Sequence, residues 1–171
     1  RQIMIRRMLE TDQFKQKLCD SLMKEMSTYQ TINIAKHSDV YIGGDKEDLV
    51  YFIEVGQVKL LMRSLEGKEC IVAIHSFGDV FGKFCIGRLG ELAEKVIAMT
   101  NTQLKTISYT NFLTHLTKES LLEGFVQYLG VRLAEKKQVI ANLLLVNSEQ
   151  RLGKTLLQLA KCSGKKSSDG T

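Results

Sequence analysis

The sequence predicts an α+β protein: an antiparallel β sandwich or barrel in the middle, helices before it and one long helix after it. Apolar residues recur at helical spacing from about Gln2 to Tyr29, alternate from about Gln30 to Ser108, and return to helical spacing from about Thr110. Glycines punctuate the alternating zone at Gly44, Gly56, Gly67 and Gly78, at intervals of 12, 11 and 11 residues. Short strands separated by turns at that interval are the pattern of sandwiches and barrels.

In the first zone Phe14, Leu18, Leu22 and Met26 fall on one helical face, with Thr11 or Asp12 placed as a cap and the preceding RQIMIRRML as a separate short helix. In the second zone Val58, Leu60 and Met62 alternate with Lys59, Leu61 and Arg63. Cys70, Val72 and Ile74 alternate likewise with Ile71, Ala73 and His75, so each set takes one face of a strand. Ser64 to Lys68 reads as a hairpin turn, with Gly67 supplying a positive φ. The third zone opens with a short helix, Asn111 to Lys118.

A long helix follows, from about Ser120 to Asn147 and on the order of 40 Å in length. Along it Leu122, Val126, Leu129, Leu133, Lys136, Ile140, Leu143 and Asn147 are spaced alternately four and three apart, a heptad seam with apolar residues at six of eight positions. A seam so regular predicts a parallel two-helix coil with a second copy of the chain, Lys136 and Asn147 setting register at some cost in stability. Ser148 then reads as the N-cap of a further helix with Leu152, Leu156 and Leu159 on one face, ending in the Gly-, Ser- and Lys-rich CSGKKSSDGT.

Composition narrows the function classes. With 171 residues, 44 % apolar and 25 % charged, the chain has the length of one ordinary domain, or of one domain plus an appended element. No apolar run approaches the roughly 20 residues that span a bilayer, and the basic N-terminus lacks a signal-peptide core, so a cytoplasmic protein with no membrane partner is expected. Cys19, Cys70, Cys85 and Cys162 form no CxxC pair, and His37, His75 and His115 are isolated. Reduced thiols and no metal site follow. The net charge of +5 gathers partly at Arg1, Arg6 and Arg7 and at Lys154, Lys161, Lys165 and Lys166, as a solvated face or a weak attraction for an anionic partner. No nucleophile elbow, Cys–His pairing or paired carboxylates stand out, so there are no candidate catalytic residues and an enzyme is not expected.

Several stretches together resemble the Crp–Fnr family of transcription regulators. Gly44-Asp45 and Tyr51-Phe52-Ile53-Glu54-Val55-Gly56-Gln57-Val58-Lys59-Leu60 resemble the family's "GE…YFI..G.V.L". Leu65-Glu66-Gly67-Lys68-Glu69 resembles its "..GKE" hairpin, and Phe77-Gly78-Asp79-Val80-Phe81-Gly82 its "..GD.FG" turn. Arg151 to Ala160 resembles the "R.A..LL.LA" helix that opens its DNA-binding domain. The resemblance implies an antiparallel double-stranded β-helix (jelly-roll) barrel flanked by N-terminal helices and followed by a long C-terminal dimerisation helix. It also implies three parts: a sensing barrel at 1–118, a dimerisation helix at 119–147, and at 148–171 the first helix and loop of a winged helix-turn-helix domain otherwise missing from this chain. The implied partners are a second copy, promoter DNA through that domain, and RNA polymerase. In the implied mechanism an event in the barrel shifts the long helix and rotates the two DNA-binding domains into successive major grooves.

In family members that bind cyclic nucleotides, a Glu follows the Gly82 position and an Arg-Ser or Arg-Ala pair follows about ten residues later. Here the Glu position is Lys83, the Arg-Ser positions fall near Leu92 and Ala93 with a one-residue gap, and the adenine-contacting positions fall near Lys136 and Lys137. Cyclic AMP is therefore disfavoured. Haem is disfavoured because Gly82 and Phe84 stand near the position of its ligand, and an iron–sulfur cluster because Cys19 is the only N-terminal cysteine. The candidate effector pocket comprises Gly82, Lys83, Phe84, Cys85, Arg88, Lys95, Lys136 and Lys137. Its cations suit a carboxylate or phosphate, its apolar members suit a hydrophobic effector, and a ligand-free barrel filled by its own side chains stays open as well. Cys85 reads either as a redox-sensing thiol or as a small packing residue. The rival readings are a cyclic-nucleotide-binding module of kinase or channel type and a protein-interaction module without a ligand.

Overall fold

A computed structural model describes residues 2–25, 29–42, 48–82 and 93–164. Helix α1 (Gln2–Lys24) precedes eight strands: β1 (Gln30–Ile34), β2 (Asp39–Ile42), β3 (Leu49–Val55), β4 (Val58–Arg63), β5 (Glu69–His75), β6 (Val80–Gly82), β7 (Ala93–Ala98) and β8 (Thr102–Ser108). Helices α2 (Tyr109–Lys118) and α3 (Leu122–Gly164) follow. The chain divides into two compact units, Arg1–Tyr128 and Leu129–Thr171.

The strands form two antiparallel four-stranded sheets, ordered β1-β8-β3-β6 and β2-β7-β4-β5. The pairing is nested: β1 with β8, β2 with β7, β3 with β6, β4 with β5. That is one long hairpin, bent at β4–β5 and rolled so that its two arms supply both sheets, the jelly roll that the family resemblance implied. The bend is the expected turn. Gly67 has φ +83°, its N–H donates to the Ser64 carbonyl at 2.9 Å, and the Ser64 N–H donates to the Lys68 carbonyl at 2.9 Å.

Between the sheets lie Tyr41, Tyr51, Ile53, Val58, Phe81, Val96 and Leu104. Strand β3 is buried on both faces, with Val50 and Phe52 covered as fully as Tyr51 and Ile53. The expected alternation along β4 holds against β7, with Leu60 and Met62 opposite Val96 and Glu94 and with Leu61 opposite Lys95 on the other face, where Leu61 is nevertheless buried. The register slip between β4 and β5 falls on β5, which carries one extra residue at Val72.

A second apolar layer joins α1, α2 and the start of α3. Phe14 packs on Phe125 and Tyr128 at centroid distances of 6.2 and 5.7 Å, and Phe112 meets Phe125 edge-on at 5.3 Å. Leu18 and Leu22 are buried on the predicted face of α1, whereas Met26 lies outside the described residues. A polar tie crosses the α1–α2 junction: Ser21 Oγ and buried His115 Nε2 stand 2.8 Å apart, and Glu25 pairs with Lys118.

Two expected helix breaks do not occur. Helix α1 runs unbroken through Thr11, whose hydroxyl donates to the Arg7 carbonyl at 2.9 Å instead of capping a new helix. Helix α3 runs unbroken through Ser148, whose hydroxyl donates to the Leu144 carbonyl at 2.9 Å. Bonds back to the i−4 carbonyl are how Ser and Thr are accommodated inside helices. Helix α3 thus has 43 residues.

Its apolar residues change face partway. The seam from Leu122 to Leu143 lies on one side. Leu145, Leu152 and Leu156 lie on a stripe rotated from it by about 150°, at about 100° per residue.

Candidate effector site

The turn between β5 and β6 carries the site's framework. Asp79, 2 % exposed, sits at its end. Its carboxylate accepts from the Ser76 N–H at 2.9 Å and from the Tyr128 hydroxyl at 3.2 Å, and it pairs with the Lys15 ammonium at 3.0 Å. The Tyr128 hydroxyl in turn accepts from the Val80 N–H at 3.1 Å. One carboxylate thereby joins α1, the turn and the first turns of α3. Strand β6 then ends at Gly82, whose φ is +129°. A Cβ there would stand 2.5 Å from the Leu49 carbonyl oxygen on β3, so only glycine fits at the end of β6.

Inside the barrel four rings pack in sequence. Tyr41 stacks on Tyr51 at 5.6 Å, Tyr51 on Phe81 at 5.2 Å, and Phe81 on His75 at 5.6 Å. Glu94, 5 % exposed on β7, reaches into the same space and accepts from the Tyr41 hydroxyl at 2.5 Å. Burial pushes its carboxyl above the usual carboxylate range, against the opposing pull of the Tyr41 hydrogen bond and of His75. The His75 Nδ1 atom is buried, 3.8 Å from Asp79 Oδ2, with no hydrogen-bond partner among the described residues.

The pocket residues named from the sequence are only partly within view. Gly82 ends β6, while Lys83, Phe84, Cys85 and Arg88 lie outside the described residues. Lys95 is on β7 and pairs with Asp39 on β2 at 3.3 Å. Its neighbours Glu94 and Val96 point into the barrel, which places Lys95 on the other face. Lys136 and Lys137 are exposed on α3. Of the seam residues, Leu122, Val126, Leu133, Ile140 and Leu143 are exposed and Leu129 is half-buried; the side chain of Asn147 lies outside the description.

Sequence reading missed Tyr41, Glu94 and Tyr128 as members of a connected set, and treated His75 as isolated. A signal for Glu94 existed. The alternation of β7 sets Glu94 on the face of Val96 and Ala98, where a carboxylate is out of place in an apolar row.

Comparison with known proteins adds the family. The model for the cyclic nucleotide-binding domain matches residues 31–119. The cAMP-activated global transcriptional regulator CRP of Pasteurella multocida is 31 % identical over 121 residues, covering 69 % of this chain and 57 % of that protein. This chain belongs to the Crp–Fnr family. The CRP-like cAMP-activated global transcriptional regulator of Mycobacterium tuberculosis is 24 % identical over 136 residues, covering 79 % of this chain and 61 % of that protein.

Among solved structures, the catabolite activator protein of Thermus thermophilus shares the fold with a TM-score of 0.57 and 21 % identity, over 72 % of this chain and 59 % of that one. The haem domain of CooA from Carboxydothermus hydrogenoformans does so with a TM-score of 0.57 and 19 % identity, over 78 % and 97 %. This chain spans under two thirds of the length of these curated family members. Among its described residues no helix is long and apolar enough to cross a membrane.

Proposed function

We propose that this chain is the sensing and dimerisation part of a bacterial transcription regulator that controls a winged helix-turn-helix domain beginning near Ser148. The observation that carries the reading is the exposed heptad seam on α3, joined directly to a jelly-roll barrel. Val126 is 60 % and Ile140 57 % exposed in the single chain, a cost that a second copy of the helix removes. The change of apolar face near Leu145 supports a functional boundary there, since the two stripes require different partners. The seam serves the second copy, and the stripe of Leu152 and Leu156 serves the DNA-binding domain. Promoter DNA is the partner of that domain.

Light scattering of the chain is expected to give twice 19.3 kDa, and the double variant Leu133→Glu, Ile140→Glu is expected to give 19.3 kDa with the barrel still folded. A wild-type chain that stays monomeric at micromolar concentration sinks the reading.

Cyclic AMP is not the proposed effector, because Lys83, Leu92 and Ala93 stand where the cyclic-nucleotide-binding members carry their Glu and Arg-Ser pair. A ligand at 100 times its Kd adds about 2.7 kcal/mol of stability. Cyclic AMP at millimolar concentration is expected to leave Tm unchanged, and a rise of several degrees reinstates it. The stacked rings inside the barrel favour one alternative, a barrel that needs no small ligand and acts through protein contacts.

A further inference from the structure

We propose that the barrel interior is itself a proton-responsive switch, in which Glu94, held by Tyr41 and faced by His75, changes charge and loosens the barrel around it. The proposal rests on the sensing role argued above and names a stimulus for it.

A carboxyl among Tyr41, Tyr51, Phe81 and Val96 is out of water, and its contacts suit a neutral acid better than an anion. Tyr41 offers it one hydroxyl, and no cation pairs with it among the described residues. Among the described residues the basic group acting on it is His75 from β5, whose ring is committed to the Phe81 stack. Asp79, beside His75, is itself occupied by Lys15 of α1 and by Tyr128 of α3. On β7 the adjacent ammonium, Lys95, faces away and pairs with Asp39 of β2. Strand β4 presents Met62 opposite Glu94 and no charge. Ionising Glu94 therefore puts a negative charge into the aromatic stack with, among the described residues, only Tyr41 and His75 to answer it.

The direction follows from linkage. Folding raises the Glu94 pKa above its ordinary value of 4.5, so its contribution to stability is fully present below that value. It is lost as pH rises through the raised one.

The test is a series of thermal melts of the chain, followed by circular dichroism, from about pH 4 to about pH 8. Wild type is expected to lose several degrees of Tm across that window relative to Glu94→Gln, which keeps the hydrogen bond to Tyr41 without the charge. The variant is expected to be the more stable of the two at neutral pH. Parallel profiles for the two proteins overturn the proposal.

Carbon-13 titration of the glutamate side chains in the unaltered chain tests it without a variant. One carboxyl titrating well above the others is expected, and all of them titrating together overturns it. Light scattering of the same samples separates the two readings. A dimer with parallel melts removes the switch and keeps the sensor-dimer reading, whereas a monomer at every pH removes the latter whatever the titration shows.

Discussion

Replacing Asp79 with alanine is expected to cost about 3–5 kcal/mol, the range for breaking a buried ion pair by removing one partner. Lys15 is largely buried and pairs with Asp79 Oδ1, while Tyr128 donates to that oxygen and the Ser76 N–H to the other. The variant strands a buried ammonium and a turn N–H, and it detaches the first turns of α3 from the β5–β6 turn. Urea unfolding reads the loss as a lower midpoint at unchanged slope. Adding Lys15→Met to Asp79→Ala is expected to recover part of it, because the second change removes the orphaned charge. A loss under about 1 kcal/mol for Asp79→Ala would mean that solvent reaches the site and screens the pair.

Phe81→Ala is expected to cost a similar amount, about 3–5 kcal/mol, by a different route. Phe81 is fully buried between Tyr51 and His75, with Tyr41 at 6.3 Å. Truncation removes the ring that separates the Tyr41–Tyr51 pair from the imidazole and leaves a cavity between the sheets. Val55→Ala, at a strand end that is 55 % exposed, provides the scale and is expected to stay within about 0.5 kcal/mol. Equal losses for the two would show that the stack is not the barrel's core.

The strand zone was legible in the sequence because its faces differ in polarity and its turns demand glycine. Gly67 and Gly82 each hold a backbone that other residues resist. The helix boundaries were misread twice for one reason. Thr11 and Ser148 have the side chains of caps, and whether such a hydroxyl caps forward or bonds back to the i−4 carbonyl depends on whether the preceding turn is already helical. The β5 irregularity at Val72 was invisible because a register slip belongs to a pair of strands and leaves no mark on one. Within the site, Lys95 was grouped with the pocket by its charge, although its place in the β7 alternation sets it outside the barrel. Glu94, one residue earlier, falls by the same alternation on the inward face with Val96 and Ala98. The Asp79–Tyr128 bond joins residues 49 positions apart, a distance over which periodicity carries no information.

The four stacked rings also bear on time. A small molecule that enters between these sheets has to swing side chains out of a packed row before it can make contacts of its own. Its arrival would be governed by how often Tyr41, Tyr51 and Phe81 part, not by how often it meets the protein. A proton needs no such opening wider than a water molecule, so a barrel built this way answers acidity quickly and bulky visitors slowly.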